Sequence, residues 1–193
     1  MEKNTDSTDL NLRTGLPDAL RVLVEQYPRD LWQAHKNFDG TTRFWMERHL
    51  MFRDVLGRLQ TDTQAFLDNP KDASGYVQRT ARMTGFFLQQ LHGHHQIEDA
   101  HYFPLLSGLD ARLTPGFDLL DADHHALDAH LQALADGTNA ALGPLQSGAL
   151  QQGRDAAGAL EAQLGRFGHF LNRHLLDEED LVIPVILHHA PRM

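Results

Sequence analysis

The sequence predicts an all-α fold, specifically an up-down-up-down four-helix bundle with an additional short N-terminal helical segment. Three observations support this prediction. Four long segments carry apolar residues at alternating spacings of three and four, the period of an amphipathic helix. The two halves of the chain repeat each other, and no segment shows the alternating β-branched pattern of a strand. We therefore expect two helical hairpins of similar sequence.

The first 40 residues are expected to form an N-terminal extension with a short helix that packs on the bundle. Residues 1–15 are expected to be a flexible lead-in. Pro17 is suited to the start of a helix, and Pro28 cannot continue one. A short helix is therefore predicted from Pro17 to about Tyr27. Residues 29–38 are expected to add another turn or two.

The first bundle helix is predicted over residues 42–60. The segment 39–42, with the sequence Asp-Gly-Thr-Thr, is expected to be a break that supplies a helix N-cap. A polar connector over residues 61–72 then leads to a second helix over residues 73–109. Pro104 lies deep inside that second helix. Because proline has no backbone N–H, it should kink the helix or end its regular part.

The third helix is predicted over residues 117–136 and the fourth over residues 150–188. A loop that contains Gly and Pro is expected between them, at residues 137–148. Four long helices joined by short connections favour antiparallel neighbours, as in an up-down-up-down bundle. We assign residues 41–190 to the bundle and residues 1–40 to the extension.

A histidine–glutamate motif occurs twice along the chain. His94 precedes Glu98 by four residues, and His174 precedes Glu178 by four, with an offset of 80 between the copies. In each copy a second acid follows the Glu, and a Pro stands six residues past it. Residues i and i+4 lie on one face of a helix, so each imidazole and carboxylate point into the same space. The duplication favours a functional site over ordinary surface ion pairing.

The first and third helices also match each other, at an offset of 75, which pairs His49 with His124. The inward-facing set is therefore His49, His94, Glu98, His124, His174 and Glu178. Four imidazoles and two carboxylates suit a borderline transition metal, whereas magnesium and calcium prefer oxygen ligands. Six ligands exceed the four of a structural zinc site. We infer a dinuclear centre of two Fe ions, for which Zn or Mn could substitute.

The segment from His94 to Pro104 resembles the haemerythrin-like HHE cation-binding proteins. Their pattern is a His on the first helix and His-x-x-x-Glu ahead of Phe-Pro on the second, repeated on the third and fourth helices. The resemblance covers roughly residues 40–187. It implies a four-helix bundle with a di-iron centre. Carried over by position, it assigns His49 and His94 to one iron, His124 and His174 to the other, and Glu98 and Glu178 to the bridge.

Two positions depart from haemerythrin proper. Its third helix carries a second His four residues after the first, where this sequence has Asp128. Its last carboxylate is an Asp five residues after the fourth-helix His, and here Glu179 takes that position as an alternative to Glu178. The candidates for an additional ligand are His101, Asp128, His169 and Glu179. By contrast, His95 is expected either to face solvent or to contact a metal ligand without binding the metal itself.

Composition excludes several classes of protein. A formal net charge of −9 argues against a phosphate-binding surface, so we expect no nucleic-acid partner. The absence of Cys excludes disulfides and thiolate metal sites. No apolar run approaches the ~20 residues of a membrane span, and the expected location is the cytoplasm. The sequence is compatible with a homo-oligomer.

Three functions fit these observations. The first is a non-haem di-iron protein that binds or reacts with O2, NO or peroxide, for sensing, storage or detoxification. The second is a ferritin-like di-iron oxidase, for which Glu98 and His101 supply one Glu-x-x-His pair. That pair has no second copy, because Leu181 follows Glu178 by three. The third is a helical interaction module in which a metal only staples the bundle.

Overall fold

The computed structural model describes residues 8–191, so the predicted lead-in falls partly outside the described residues, at positions 1–7. Within the described range there are five α-helices and no strand. The helices are α1 (Gly40–Asp68), α2 (Ala73–Ile97), α3 (Phe103–Ser107), α4 (Thr114–Gln146) and α5 (Leu150–His189). The prediction of an all-α helical bundle is confirmed.

Helix α1 begins where the sequence predicted a cap. The Asp39 carboxylate accepts hydrogen bonds from the Thr42 backbone N–H at 2.9 Å and from its hydroxyl at 3.0 Å. This satisfies an N–H that has no partner within the helix. The predicted connector was wrong over residues 61–68, which continue the helix. Buried Thr63 and Phe66 extend the apolar period there, and Phe66 stacks on Tyr76 at 4.2 Å between ring centroids.

The predicted loop between the third and fourth helices was also wrong. Residues 137–146 continue α4, because the buried side chains Ala141, Leu142 and Leu145 maintain the helical period. Their burial offsets the helix-weakening effect of glycine and proline in this segment. The chain turns at Gly148, where φ is +83°, a conformation that glycine adopts without strain.

The N-terminal helical segment is shorter than predicted. The helix expected from Pro17 to Tyr27 is only a 3₁₀ turn at Asp18–Leu20 followed by irregular turns. So short a helix is marginal in water, and its conformation depends on packing. The second expected turn is present as a 3₁₀ helix at Arg29–Ala34, which buries Trp32.

Pro104 ends the regular part of the second helix, as predicted. Helix α2 stops at Ile97, and Glu98–Tyr102 form a π-helical turn, in which the Phe103 N–H donates to the Glu98 carbonyl. A wider turn fits here because the proline ring would clash with the carbonyl four residues before it. Pro184, its counterpart in the repeat, lies within α5 without interrupting it.

The chain forms two compact units. The first contains the described residues of 1–50, 94–125 and 170–193, and the second contains residues 51–93 and 126–169. In the apolar core of the first unit, leucines of the N-terminal segment pack with residues of α1, α3, α4 and α5. This core includes Leu16, Leu20, Leu23, Trp45, Phe103, Leu106, Leu120, Val182, Val185 and Ile186. The second unit is centred on the fully buried rings of Phe52, Phe87 and Phe167.

No helix between residues 8 and 191 is both long enough and apolar enough to cross a bilayer.

Candidate metal centre

All six predicted ligands lie in the first unit, and their donor atoms converge in two groups. One group is His49, His94, Glu98 and Glu178, and the other is His95, His124 and His174. Within each group the donor atoms lie within 4.8 Å of one another. This spacing is close enough for the donors of a group to hold one metal ion.

The Glu98 carboxylate lies between the two groups. It projects from the π-helical turn and is fully buried. Its Oε1 lies 2.9 Å from His94 Nε2, and its Oε2 lies 3.8 Å from His124 Nε2. One oxygen therefore faces each group, an arrangement suited to a carboxylate that bridges two cations.

The carboxylate of Glu178, the counterpart of Glu98 in the repeat, also lies between the two groups. Its Oε1 lies 3.3 Å from His49 Nε2, and its Oε2 lies 3.3 Å from His174 Nε2. The Trp45 indole N–H donates to Glu178 Oε1 at 2.8 Å. This hydrogen bond fixes the carboxylate in the orientation in which its oxygens divide between the groups.

Carboxylates outside the centre hold three of the imidazoles by their Nδ1 atoms. The pairs are His49 with Glu179 at 3.0 Å, His124 with Asp99 at 2.7 Å and His174 with Asp123 at 3.3 Å. A hydrogen bond at Nδ1 places the proton there and leaves the Nε2 lone pair for a metal. The structure thus gives Glu179 a supporting position at His49.

His95 is the residue that the sequence did not predict as a ligand. It is 3% exposed, and neither ring nitrogen makes a hydrogen bond. Its ring stacks on His124 at 4.0 Å between centroids and lies 5.5 Å from His174. The sequence did contain a signal, because His95 follows buried Leu91 by four residues and precedes Glu98 by three. Both spacings place it on the buried face of α2.

Burial and neighbouring charges shift the pKa values of the donors in both groups. Burial lowers the pKa of His94 to about 3 and that of His95 well below its ordinary value, so both are neutral donors. Burial, together with the negative charge of Glu178, raises the pKa of Glu98 well above its ordinary value. Burial alone would lower the pKa of His174, but hydrogen bonds to Asp123 and Glu178 outweigh it and raise this pKa to about 9.

Three further candidates lie outside both groups. His101 is exposed, although it follows Glu98 by three residues. Asp128 is exposed in the second unit, where it lies 3.8 Å from His92. His169 is also exposed and belongs to the second unit. Instead, the additional residue that clusters with His124 and His174 is His95.

The donor set fits a metal once Glu98 and His174 have released their protons. Buried donor atoms without a hydrogen bond occur on five clustered residues, His95, Glu98, His124, His174 and Glu178. Such atoms carry a substantial desolvation cost unless they are partnered. Imidazole nitrogen and carboxylate oxygen together suit iron and its neighbours in the transition series.

A family model described as "Hemerythrin HHE cation binding domain" matches residues 40–186, about three quarters of the chain. The chain belongs to the haemerythrin HHE family. The match contains all seven clustered residues and begins at α1, so the resemblance inferred from the two motifs is confirmed. Comparisons with curated proteins and with solved structures find no significant match. The N-terminal segment lies outside the HHE domain.

Proposed function

We propose that this HHE protein is a non-haem di-iron protein that binds or reacts with O2, NO or peroxide. The observation that carries the proposal is the position of two buried carboxylates between two groups of imidazoles. Glu98 and Glu178 each direct one oxygen to either group. Bridging carboxylates of this kind are typical of helical bundles that hold two metal ions.

The seven clustered residues divide naturally between two ions. The proposed ligands are His49 and His94 for one ion, His95, His124 and His174 for the other, and Glu98 and Glu178 as bridges. Four residues would then hold one ion and five would hold the other, fewer than the roughly six donors that an octahedral metal accepts. When bound, iron supplies redox chemistry towards a small ligand. Zn and Mn accept the same donors and are the expected substitutes.

The surrounding residues restrict access to the centre. Six of the seven clustered residues are buried, and only the side chain of His94 is 11% exposed. A ligand that enters beside His94 must therefore be small, which fits a diatomic molecule or peroxide. The carboxylates at Nδ1 hold the imidazoles in place, so that the donors are oriented before the ligand arrives.

The exposure of His101 separates this proposal from the ferritin-like alternative. A ferritin-like centre uses Glu-x-x-His pairs that project inward, whereas His101 faces solvent beside buried Glu98. A metal that only staples the bundle would use the same seven ligands. That alternative differs from the proposal in reactivity and not in geometry.

The first experiment measures metal content per chain after iron loading. The wild-type protein should hold two irons, and E98Q and E178Q should hold fewer, because each loses a bridging carboxylate. E47Q is the matched control, since Glu47 lies on α1 but is exposed. H101Q should keep both irons, and loss of metal in H101Q would instead favour the ferritin-like centre.

The second experiment exposes the reduced, iron-loaded protein to O2, NO and H2O2 separately and records its absorption spectrum. We expect the absorption spectrum of the wild-type protein to change with at least one of these ligands. E47Q should show the same change, and E98Q should not. Two tightly bound metals with no response to any of the three would support the metal staple. A wild-type protein that binds no iron would refute the proposed function.

A further inference from the structure

An arginine from the N-terminal segment reaches the support of His174. Arg13 lies outside the HHE match, yet its side chain is 0% exposed. Its Nε donates to Asp177 at 2.6 Å and its Nη1 to Asp123 at 3.0 Å. Asp123 in turn faces the Nδ1 of His174. Arg13 thus fixes the carboxylate that orients a ligand of the three-histidine group.

A second arginine from the same segment makes the equivalent contact at the other group. Arg29 Nη1 donates to Glu179 Oε2 at 2.7 Å, and the other oxygen of Glu179 faces His49 Nδ1 at 3.0 Å. Arg29 is anchored further by Asp180 at 2.8 Å and lies over the ring of Trp32 at 4.8 Å. Each group of imidazoles therefore has one arginine–carboxylate–histidine chain.

We propose that Arg13 and Arg29 are positioning residues for the two metal positions. Arg13 orients Asp123, which accepts a hydrogen bond from the Nδ1 of His174. Arg29 orients Glu179, which accepts one from the Nδ1 of His49. This inference rests on the proposed two-metal function and extends it to residues outside the HHE domain. The planar guanidinium is suited to the role because its fixed donors define where a carboxylate lies.

Removing either arginine should affect one metal position more than the other. Loss of an outer hydrogen-bonding partner typically lowers metal affinity by about 10- to 100-fold. The loss also removes a positive charge near the metal, so the remaining environment favours the more oxidised ion. The reduction potential of the iron-loaded protein should therefore fall in R13Q and in R29Q.

Titration of the metal-free full-length protein with Co²⁺ tests the inference without iron chemistry. Wild-type protein should bind two Co²⁺ with visible absorption. R13Q should lose Co²⁺ affinity at the three-histidine position. Its remaining absorption spectrum should resemble that of H95Q, which lacks a proposed ligand of the same position. R29Q should instead resemble H94Q. R79Q is the matched control, because Arg79 also joins two carboxylates, Asp62 and Asp72, in the second unit.

Lysine variants and the stability of the metal-free protein separate positioning from a merely structural role. R29K keeps the charge and should recover part of the affinity and potential lost in R29Q. If R13Q does not fold, R13K replaces it, because lysine cannot hold Asp123 and Asp177 with a forked group. R13K should then weaken the three-histidine position alone.

The outcomes also separate this inference from the proposed function. If wild-type protein binds no pair of metals, the proposed function fails. A different result would overturn the positioning role alone. In that result, the wild-type protein binds two metals, and both R29Q and R13Q (or R13K, if R13Q does not fold) keep the wild-type metal affinity and reduction potential. Equal weakening of both positions, in step with lost stability of the metal-free protein, would likewise overturn the positioning role.

Discussion

Replacing His95 with leucine should stabilise the metal-free protein and destabilise the metal-loaded protein. Both ring nitrogens of His95 are buried without a hydrogen bond, which costs about 1–3 kcal/mol. Leucine removes that cost but forfeits the stacking on His124, worth about 0.5–1.5 kcal/mol. The free energy of unfolding of the metal-free protein should therefore rise by about 1 kcal/mol. A core histidine without a metal role would show no reversal on loading.

The metal-loaded protein should show the opposite sign. A hundredfold loss of affinity removes about 2.8 kcal/mol of linked stabilisation, so loaded H95L should be about 2 kcal/mol less stable than the loaded wild type. Denaturation with guanidinium, with chelator and with saturating Zn²⁺, measures both differences. H130L is the control, because His130 stacks on Phe167 in the second unit. If H95L is less stable without metal and still binds two ions, the reasoning about His95 is refuted.

Three further predictions concern the stability of the metal-free protein. Because the pKa of His94 is lowered to about 3 in the folded protein, the folded state loses stability as the pH falls below about 6.5, where the unfolded chain binds this proton more readily. Because the pKa of His174 is raised to about 9, the folded state also loses stability as the pH rises above about 6.5, where the unfolded chain has already released this proton. Chemical denaturation across this range should therefore give maximum stability near neutrality; a steady rise to alkaline pH would contradict it. Leu120→Ala, at a fully buried position, should cost about 2–5 kcal/mol in the free energy of unfolding. Asp39→Ala removes the cap that bonds Thr42 and should cost about 0.5–2 kcal/mol by the same assay.

The sequence predicted six of the seven clustered residues because their spacings repeat. The matched spacings of His94 with Glu98 and of His174 with Glu178 revealed two faces that the structure brings into one unit. His95 was missed because the duplication has Leu175 at the corresponding position, so no repeat marked it. Only its spacing from neighbouring buried residues indicated that it faces inward.

The contacts of Arg13 could not be predicted from local pattern. Its partners Asp123 and Asp177 lie more than a hundred residues away, and nothing in the segment around Arg13 distinguishes it from a surface arginine. Helix lengths failed for a related reason. Polar and glycine-containing stretches at the ends of α1 and α4 are helical because of the partners they pack against, as Phe66 does with Tyr76.

The π-helical turn determines whether His101 lies on the buried face of Glu98. In an uninterrupted α-helix, the residue three positions after Glu98 would share its face, and His101 would point inward with it. The wider turn instead brings buried Phe103, five positions on, beneath Glu98 and leaves His101 in solvent. Deleting one residue from this turn would rotate the following side chains by about 100°. One additional backbone unit ahead of Pro104 thus decides whether His101 can join Glu98 in an inward-facing Glu-x-x-His pair.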